Sequence, residues 1–428
     1  MFFSYALTAH QIEIMAAIIF GLALIHTFTA KYFEVLAHRH RAHEGLFHLL
    51  GEIEVVFGFW AFILVGLLAI FAGSAEAITY LESRHYTEPL FVFVIMVVAA
   101  SRPLIGLVRN IVESLANVFA TILPVKNTLI QVWLCFAAVP LLGSLITEPA
   151  AMTLAAIMLA TLTFKLIIPE WLKYSALGVL FVNISIGGTL TSYAAPPVLM
   201  VATTWQWDSA FMATTFGWKA AVAVVINATL ISALLSKHLT KASTFVEAHH
   251  ADQIPFAVSF IHALFLVGVV IFAHHPVIFF GLFLLFLGFT QAYERFQSPL
   301  ILKEGLLVGF FLAGLVVLGG MQQWWLQPIV SSLAPIELFF GATALTAITD
   351  NAALTFLGSQ IIGLSDKAKY MLMAGAVTGG GLTLIANAPN PAGAALLKKG
   401  FNDGSIGAGP LLLGALPPTV VAAVLFLI

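Results

Sequence analysis

The chain has 428 residues, 61% hydrophobic and 9% charged, with a net charge of -2 and a mean hydropathy of +1.02. A soluble domain carries about 25% charged residues, so a water-soluble globule is excluded, and no basic patch is large enough to follow a nucleic-acid backbone. The single cysteine, Cys135, rules out an internal disulfide and a thiolate metal cluster; its expected role is apolar packing.

Apolar runs near ~20 residues, without the short alternating segments of a barrel, predict an all-α polytopic membrane protein. A first helix is expected over 14–30. The preceding residues lack the basic start of a signal peptide, so it is retained. The loop 31–48 follows, with His38, His40, His43 and His48. Arg39 and Arg41 lie among them, which suits a solvated cytoplasmic face better than a metal or pH sensor. A second helix covers 55–73, then an acidic loop with Glu76, Glu82 and Glu88. A third covers 90–108 and carries Arg102, which must snorkel or find a partner. Residues 111–125 are amphipathic enough to lie along the interface.

Two apolar arms, 128–143 and 150–164, meet at Thr147-Glu148-Pro149. Each is ~22 Å long at 1.5 Å per residue, too short to span a ~30 Å core. Lys126 and Lys165 bracket the pair, which predicts a re-entrant hairpin with its tip buried in protein. Residues 171–202 form a helix broken at GGTLTSYAAPP (187–197), where two glycines and two prolines forbid continuous helix. A sixth helix covers 210–235. The polar stretch that follows divides the chain into a first repeat (1–240), a cytoplasmic linker (241–254) and a second repeat (255–428).

The second repeat replays the order. Helices are expected over 255–273, 276–292 and 305–323, hairpin arms over 336–347 and 352–364, a broken helix over 368–397 and a last helix over 410–428. The break is GGGLTLIANAPNP (379–391). The tip LTAITDNAALTFLG (345–358) matches GSLITEPAAMTLAA (143–156), with Asp350 on Glu148 and Thr349 on Thr147. In the breaks, Gly187, Gly188, Thr191, Ala194 and Pro197 fall on Gly379, Gly380, Thr383, Ala386 and Pro389. The expected fold is therefore two structural repeats with about ten transmembrane helices, two re-entrant hairpins and two broken helices. With the loop 31–48 in the cytoplasm, thirteen Lys and Arg lie inside and four (Arg84, Lys219, Lys367, Lys369) outside, Arg102 being intramembrane. That threading inverts the repeats and puts both termini outside.

The tips TEPAAMT and TDNAALT, with the two glycine-proline breaks, resemble the ion-transporter superfamily, which includes sodium/proton antiporters, arsenite-efflux permeases and sodium-coupled di- and tricarboxylate carriers. Asp350-Asn351 looks like the Asp-Asn pair of the antiporter branch. The resemblance implies secondary transport in a bacterial inner membrane by a homodimer. In it a mobile domain of hairpins and broken helices slides, elevator-like, against a scaffold.

A carboxylate at membrane depth costs roughly 3 kcal/mol or more, so Glu148 and Asp350 ask for a reason. Anion symporters of this superfamily place Ser-Asn-Thr at the tips; a built-in carboxylate would repel an anionic substrate. Carboxylates, loop carbonyls and the hydroxyls of Thr147, Thr349, Thr191 and Thr383 are hard ligands suited to sodium, with Asn351 and Asn387 as further candidates. Gly187, Gly188, Gly379 and Gly380 shape the backbone beside them. Sodium and protons competing for Glu148 and Asp350 is the expected mechanism, with sodium as substrate and no cofactor; a sodium-coupled symporter of a small anion is the alternative. An intramembrane enzyme is not expected, as neither Gly-x-Gly-Asp nor His-Glu-x-x-His occurs. The competing reading is that Glu148 and Asp350 only cap helices and that Asn183 and Ser185 only bond between helices.

Overall fold

The computed structural model describes residues 7–39, 41–239, 254–402 and 404–428, and they contain no β-strand. His40, the side chains of His38 and Arg41, residue 240 and linker residues 241–253, Lys241 among them, lie outside the described residues. In chain order the helices are α1 (Ala9–Arg39), α2 (Glu44–Gly51), α3 (Ile53–Phe71), α4 (Ser74–Glu82), α5 (Thr87–Ala99), α6 (Arg102–Ile122), α7 (Asn127–Phe136) and α8 (Ala138–Ile146). Then come α9 (Glu148–Leu159), α10 (Glu170–Gly187), α11 (Pro196–Trp205), α12 (Ser209–Met212), α13 (Trp218–Leu235), α14 (Phe256–Ile271) and α15 (Pro276–Ala292). The last are α16 (Leu302–Gly319), α17 (Gln323–Ser332), α18 (Pro335–Ile348), α19 (Asn351–Ser359), α20 (Asp366–Gly379), α21 (Asn390–Leu397) and α22 (Ala408–Leu427).

Among the described residues, six stretches are long and apolar enough to cross a membrane: Ala9–Thr29, Glu54–Phe71, Arg102–Ile122, Ser209–Leu235, Leu302–Gly319 and Ala408–Leu427. The bent pair α7–α8 would be a seventh. Several expectations shift. The acidic loop after the second helix is helical as α4. The third helix and the amphipathic segment are divided elsewhere, at Ser101: Pro103 sits in the first turn of α6, where its missing N–H costs nothing, and α6 runs unbroken to Ile122. The second arm of the second hairpin ends at Ser359, short of 364. Helix α17, with Pro328 inside it, lies where the sequence pattern predicts no helix of its own.

The helices form two compact units. The first holds α1–α4 and the start of α5, with α16, α17 and Phe356–Ser365. There Gly314 of α16 lies against the backbone of Phe57 and Gly58 in α3, the close approach that small residues allow between membrane helices. Buried His26 accepts from the Trp60 indole N–H at Nδ1 (3.0 Å) and so donates from Nε2 to the Leu50 carbonyl (2.9 Å), fixing α1 to the end of α2.

The second unit holds Val94–Ile301, Ala334–Thr355 and Asp366–Ile428. Its centre is α10, buried nearly throughout and packed on α8, α13, α20 and α22. Cys135 is fully buried in α7, with its sulfur 3.9 Å from that of Met158. Helices α7 and α8 meet at a 43° bend. Pro140 causes it: without an N–H it cannot bond the Phe136 carbonyl one turn back. That carbonyl accepts instead from Asn183 Nδ2 of α10 (2.8 Å). Asn183 and Ser185 thus make the expected inter-helix bonds, Ser185 Oγ donating to the Val377 carbonyl (2.7 Å).

Candidate functional site

Both breaks in the second unit lie where glycines and prolines forbid helix. Helix α10 stops at Gly187 and the chain resumes as α11 at Pro196; α20 stops at Gly379 and resumes as α21 at Asn390. Unwinding frees backbone groups that must find partners when buried. In the first break Ser144 Oγ donates to the Gly187 carbonyl (2.7 Å) and accepts from Leu190 N (3.0 Å), and Thr191 Oγ1 donates to the Ser144 carbonyl (2.7 Å). In the second, Thr383 Oγ1 donates to the Ala347 carbonyl (2.8 Å), and Asn390 Nδ2 donates to the carbonyls of Gly380 and Thr383 (2.8 Å each).

The hairpin tips differ from each other. Between α8 and α9, Thr147 takes φ 77° and ψ 151°, and Glu148 opens α9 with Pro149 behind it. The Glu148 side chain is 0% exposed. Its Oε2 accepts from Asn387 Nδ2 (2.8 Å), and its Oε1 makes no hydrogen bond to the described residues. Between α18 and α19, Asp350 is half-buried, and its Oδ1 accepts from the N–H groups of Ala352 (2.8 Å) and Ala353 (3.0 Å), a helix N-cap. The capping reading therefore describes Asp350, whereas Glu148 contacts a distant loop. Thr349 Oγ1 donates to Leu345 of its own helix.

Contacts that recur between tip and break fix the register. Thr191 bonds the Ser144 carbonyl as Thr383 bonds that of Ala347. Glu148 N faces the Ala194 carbonyl (3.4 Å) as Asn351 N faces that of Ala386 (3.1 Å). A β-carbon on Gly187 would meet the Pro140 carbonyl, and one on Gly379 that of Thr343. One on Gly188 would lie 2.7 Å from Glu148 Cγ, and one on Gly380 2.8 Å from Asn351 Nδ2. These pairs set Glu148 opposite Asn351 and Thr147 opposite Asp350, one residue away from the sequence match of Glu148 with Asp350. The physical reason is that α9 starts on its acidic residue, whereas α19 starts one residue after its own.

Glu148 is thus brought to Gly188 and Asn387, and Asn351 to Gly380, with Thr147 next to Glu148 in the chain and Gly187, Thr191, Gly379 and Thr383 shaping the backbone of the breaks. Thr147 Oγ1, Glu148 Oε1, Asn387 Oδ1 and both polar atoms of Asn351 are buried without hydrogen bonds among the described residues. Buried polar atoms are normally satisfied, so a buried carboxylate oxygen left unsatisfied, with further unsatisfied polar atoms on the tips and the second break, suits a small hard cation better than a packed core. No group of three or more His, Cys, Asp or Glu able to hold a metal occurs among the described residues. Ser144 and Asn390 were not singled out from the sequence. Glycines and prolines announce a break, but nothing in the pattern says which side chain closes it.

A family model described as "Putative Na+/H+ antiporter" matches residues 11–428. No curated protein matches the chain.

Proposed function

Since the chain belongs to this family of Na+/H+ antiporters over residues 11–428, we propose that it exchanges sodium, or a similar monovalent cation, for protons at Glu148. The observation that carries the reading is the Glu148 carboxylate, fully buried, tied by one oxygen to Asn387 and left at the other without a hydrogen bond among the described residues. A carboxylate shut away from water needs a compensating charge. A sodium ion and a proton each supply it, and each excludes the other, so binding of one releases the other. Thr147, Asn351 and Asn387 offer neutral oxygens to the cation; Asp350 holds the start of α19. Anion symport fits less well, because an anion would meet Glu148 itself.

The architecture we infer is an inverted pair of repeats with re-entrant hairpins, about ten spans and both termini outside, in a bacterial inner membrane. A homodimer would work by an elevator movement of the hairpins and broken helices. Ser185 and Val377 stand two residues before the matched glycines, Gly187 and Gly379. The hydrogen bond between them joins equivalent positions, as a contact on a local two-fold axis does, and this supports the inversion.

The test is dye-reported proton flux in proteoliposomes. Sodium added outside acid-loaded vesicles should alkalinise the wild-type lumen. Glu148→Gln should abolish the response, and Asp350→Asn should retain it at reduced rate. Wild-type flux in Glu148→Gln would sink the proposal. Sodium-driven uptake of a labelled dicarboxylate without proton movement would establish the symporter instead.

A further inference from the structure

We propose that Asn390 is a positioning residue for the cation, acting through Asn387. This rests on the reading of Glu148 as the exchange site.

The two breaks carry the same strain and close it differently. In the first, the staple is Ser144 of the hairpin, which bonds both the Gly187 carbonyl and Leu190 N. The recurring contacts place Ala347 opposite Ser144, so the second hairpin has no hydroxyl to offer there. Its break is closed from within: Asn390 sends both amide hydrogens to carbonyls freed by the unwinding, those of Gly380 and Thr383. Opposite Asn390, one residue past the matched prolines Pro197 and Pro389, the first break has Val198, which can do none of this. Beyond the threonine bond that both breaks share, Ser144 closes one and Asn390 the other, from non-equivalent positions.

The Asn390 staple ties residues 380–383 to 390 and closes a loop with Asn387 inside it. Asn390 N also donates to the Asn387 carbonyl (3.0 Å). Asn387 is thereby held at its backbone by the loop and at its side chain by Glu148. The orientation of the Asn390 amide is forced, because reversing it would set Oδ1 against two carbonyl oxygens. Asn390 is fully buried, and Oδ1 makes no hydrogen bond to the described residues. A side chain kept only for packing would not leave a buried oxygen unsatisfied in order to hold a loop. Its function is to fix where Asn387 meets the Glu148 carboxylate, and with it the oxygen cage offered to the ion.

The experiment is a double-mutant cycle on full-length purified protein, reading the sodium concentration at half-maximal protection against thermal unfolding, with melting in the absence of sodium as the control. Asn390→Ala should raise that concentration by about tenfold, as should Asn387→Ala. The double variant should lie within about twofold of Asn387→Ala alone, because the two act as one unit. Asn390→Ser, which keeps a single donor, should recover part of the loss and serves if the alanine variant does not fold. Multiplying effects in the double variant would overturn the inference, as would unchanged sodium affinity in both Asn390 variants with only the sodium-free melt lowered. A wild-type protein that sodium does not protect, and that moves no protons in vesicles, would overturn the exchange reading itself, and Asn390 with it. Normal wild-type exchange beside a failed cycle would remove this inference alone.

Discussion

Thr147 holds a backbone conformation that essentially only glycine adopts freely, at a cost of about 1–3 kcal/mol. It is buried, and its hydroxyl makes no hydrogen bond among the described residues, so its own contacts do not offset that cost. Thr147→Gly and Thr147→Ala both delete the hydroxyl, but only alanine keeps the clashing β-carbon. The glycine variant should therefore be the more stable by about 1–2 kcal/mol, the reverse of the usual order, in a denaturant titration of purified protein. Alanine equal to or above glycine would mean that the tip is not strained. At this scale the sequence was partly legible. Glu148 stood out because an acid inside apolar sequence must be explained. Its pairing with Asp350 was misread because chemical likeness drew the two acids together, while the backbone aligns Thr147 with Asp350. Asn351 and Asn387 were visible as candidate amides; Asn390 was hidden, since closing a loop leaves no periodic trace.

Pro140, Phe136 and Asn183 show how an element is bent and mended. Proline removes the hydrogen bond that would straighten α7 and α8 into one helix, and an asparagine on α10 takes up the freed carbonyl. Asn183 also accepts from Asn227 Nδ2 (3.0 Å), so Asn183→Ala should cost about 1–3 kcal/mol by stranding buried partners. Adding Pro140→Ala should recover part of that loss, because a backbone N–H returns to the Phe136 carbonyl. In the parent background Pro140→Ala should gain little, since Asn183 already occupies that carbonyl. Additive melting shifts across the four proteins would argue against this division of labour. The two tips and both breaks were legible as interruptions of helix because glycine and proline are local signals. The start of α6 at Ser101–Pro103 was not, since apolar residues run through it on both sides. Nor were α4 and α17, short helices held by neighbours that no local pattern names.

For the whole molecule, composition was decisive for the helical membrane class, and charge bias alone carried the orientation. Counting spans was harder, because α5, α14 and α15 have 13, 16 and 17 residues and fall short of the ~20 that a straight crossing needs. The orientation has a direct check. A protease site inserted after Ser83 should be cut in right-side-out vesicles, and one inserted after Ala42 only once the membrane is opened; the reverse pattern would invert the topology. The burial of Cys135 in α7 has a practical consequence for such work. The only thiol of the chain is sealed from reagents in the folded state, so the native protein is already silent to maleimides and spin labels. A cysteine introduced at a surface position becomes the sole reporter, and two of them become a ruler. Movement of a hairpin against its surroundings can then be measured in ångströms on the otherwise unaltered sequence.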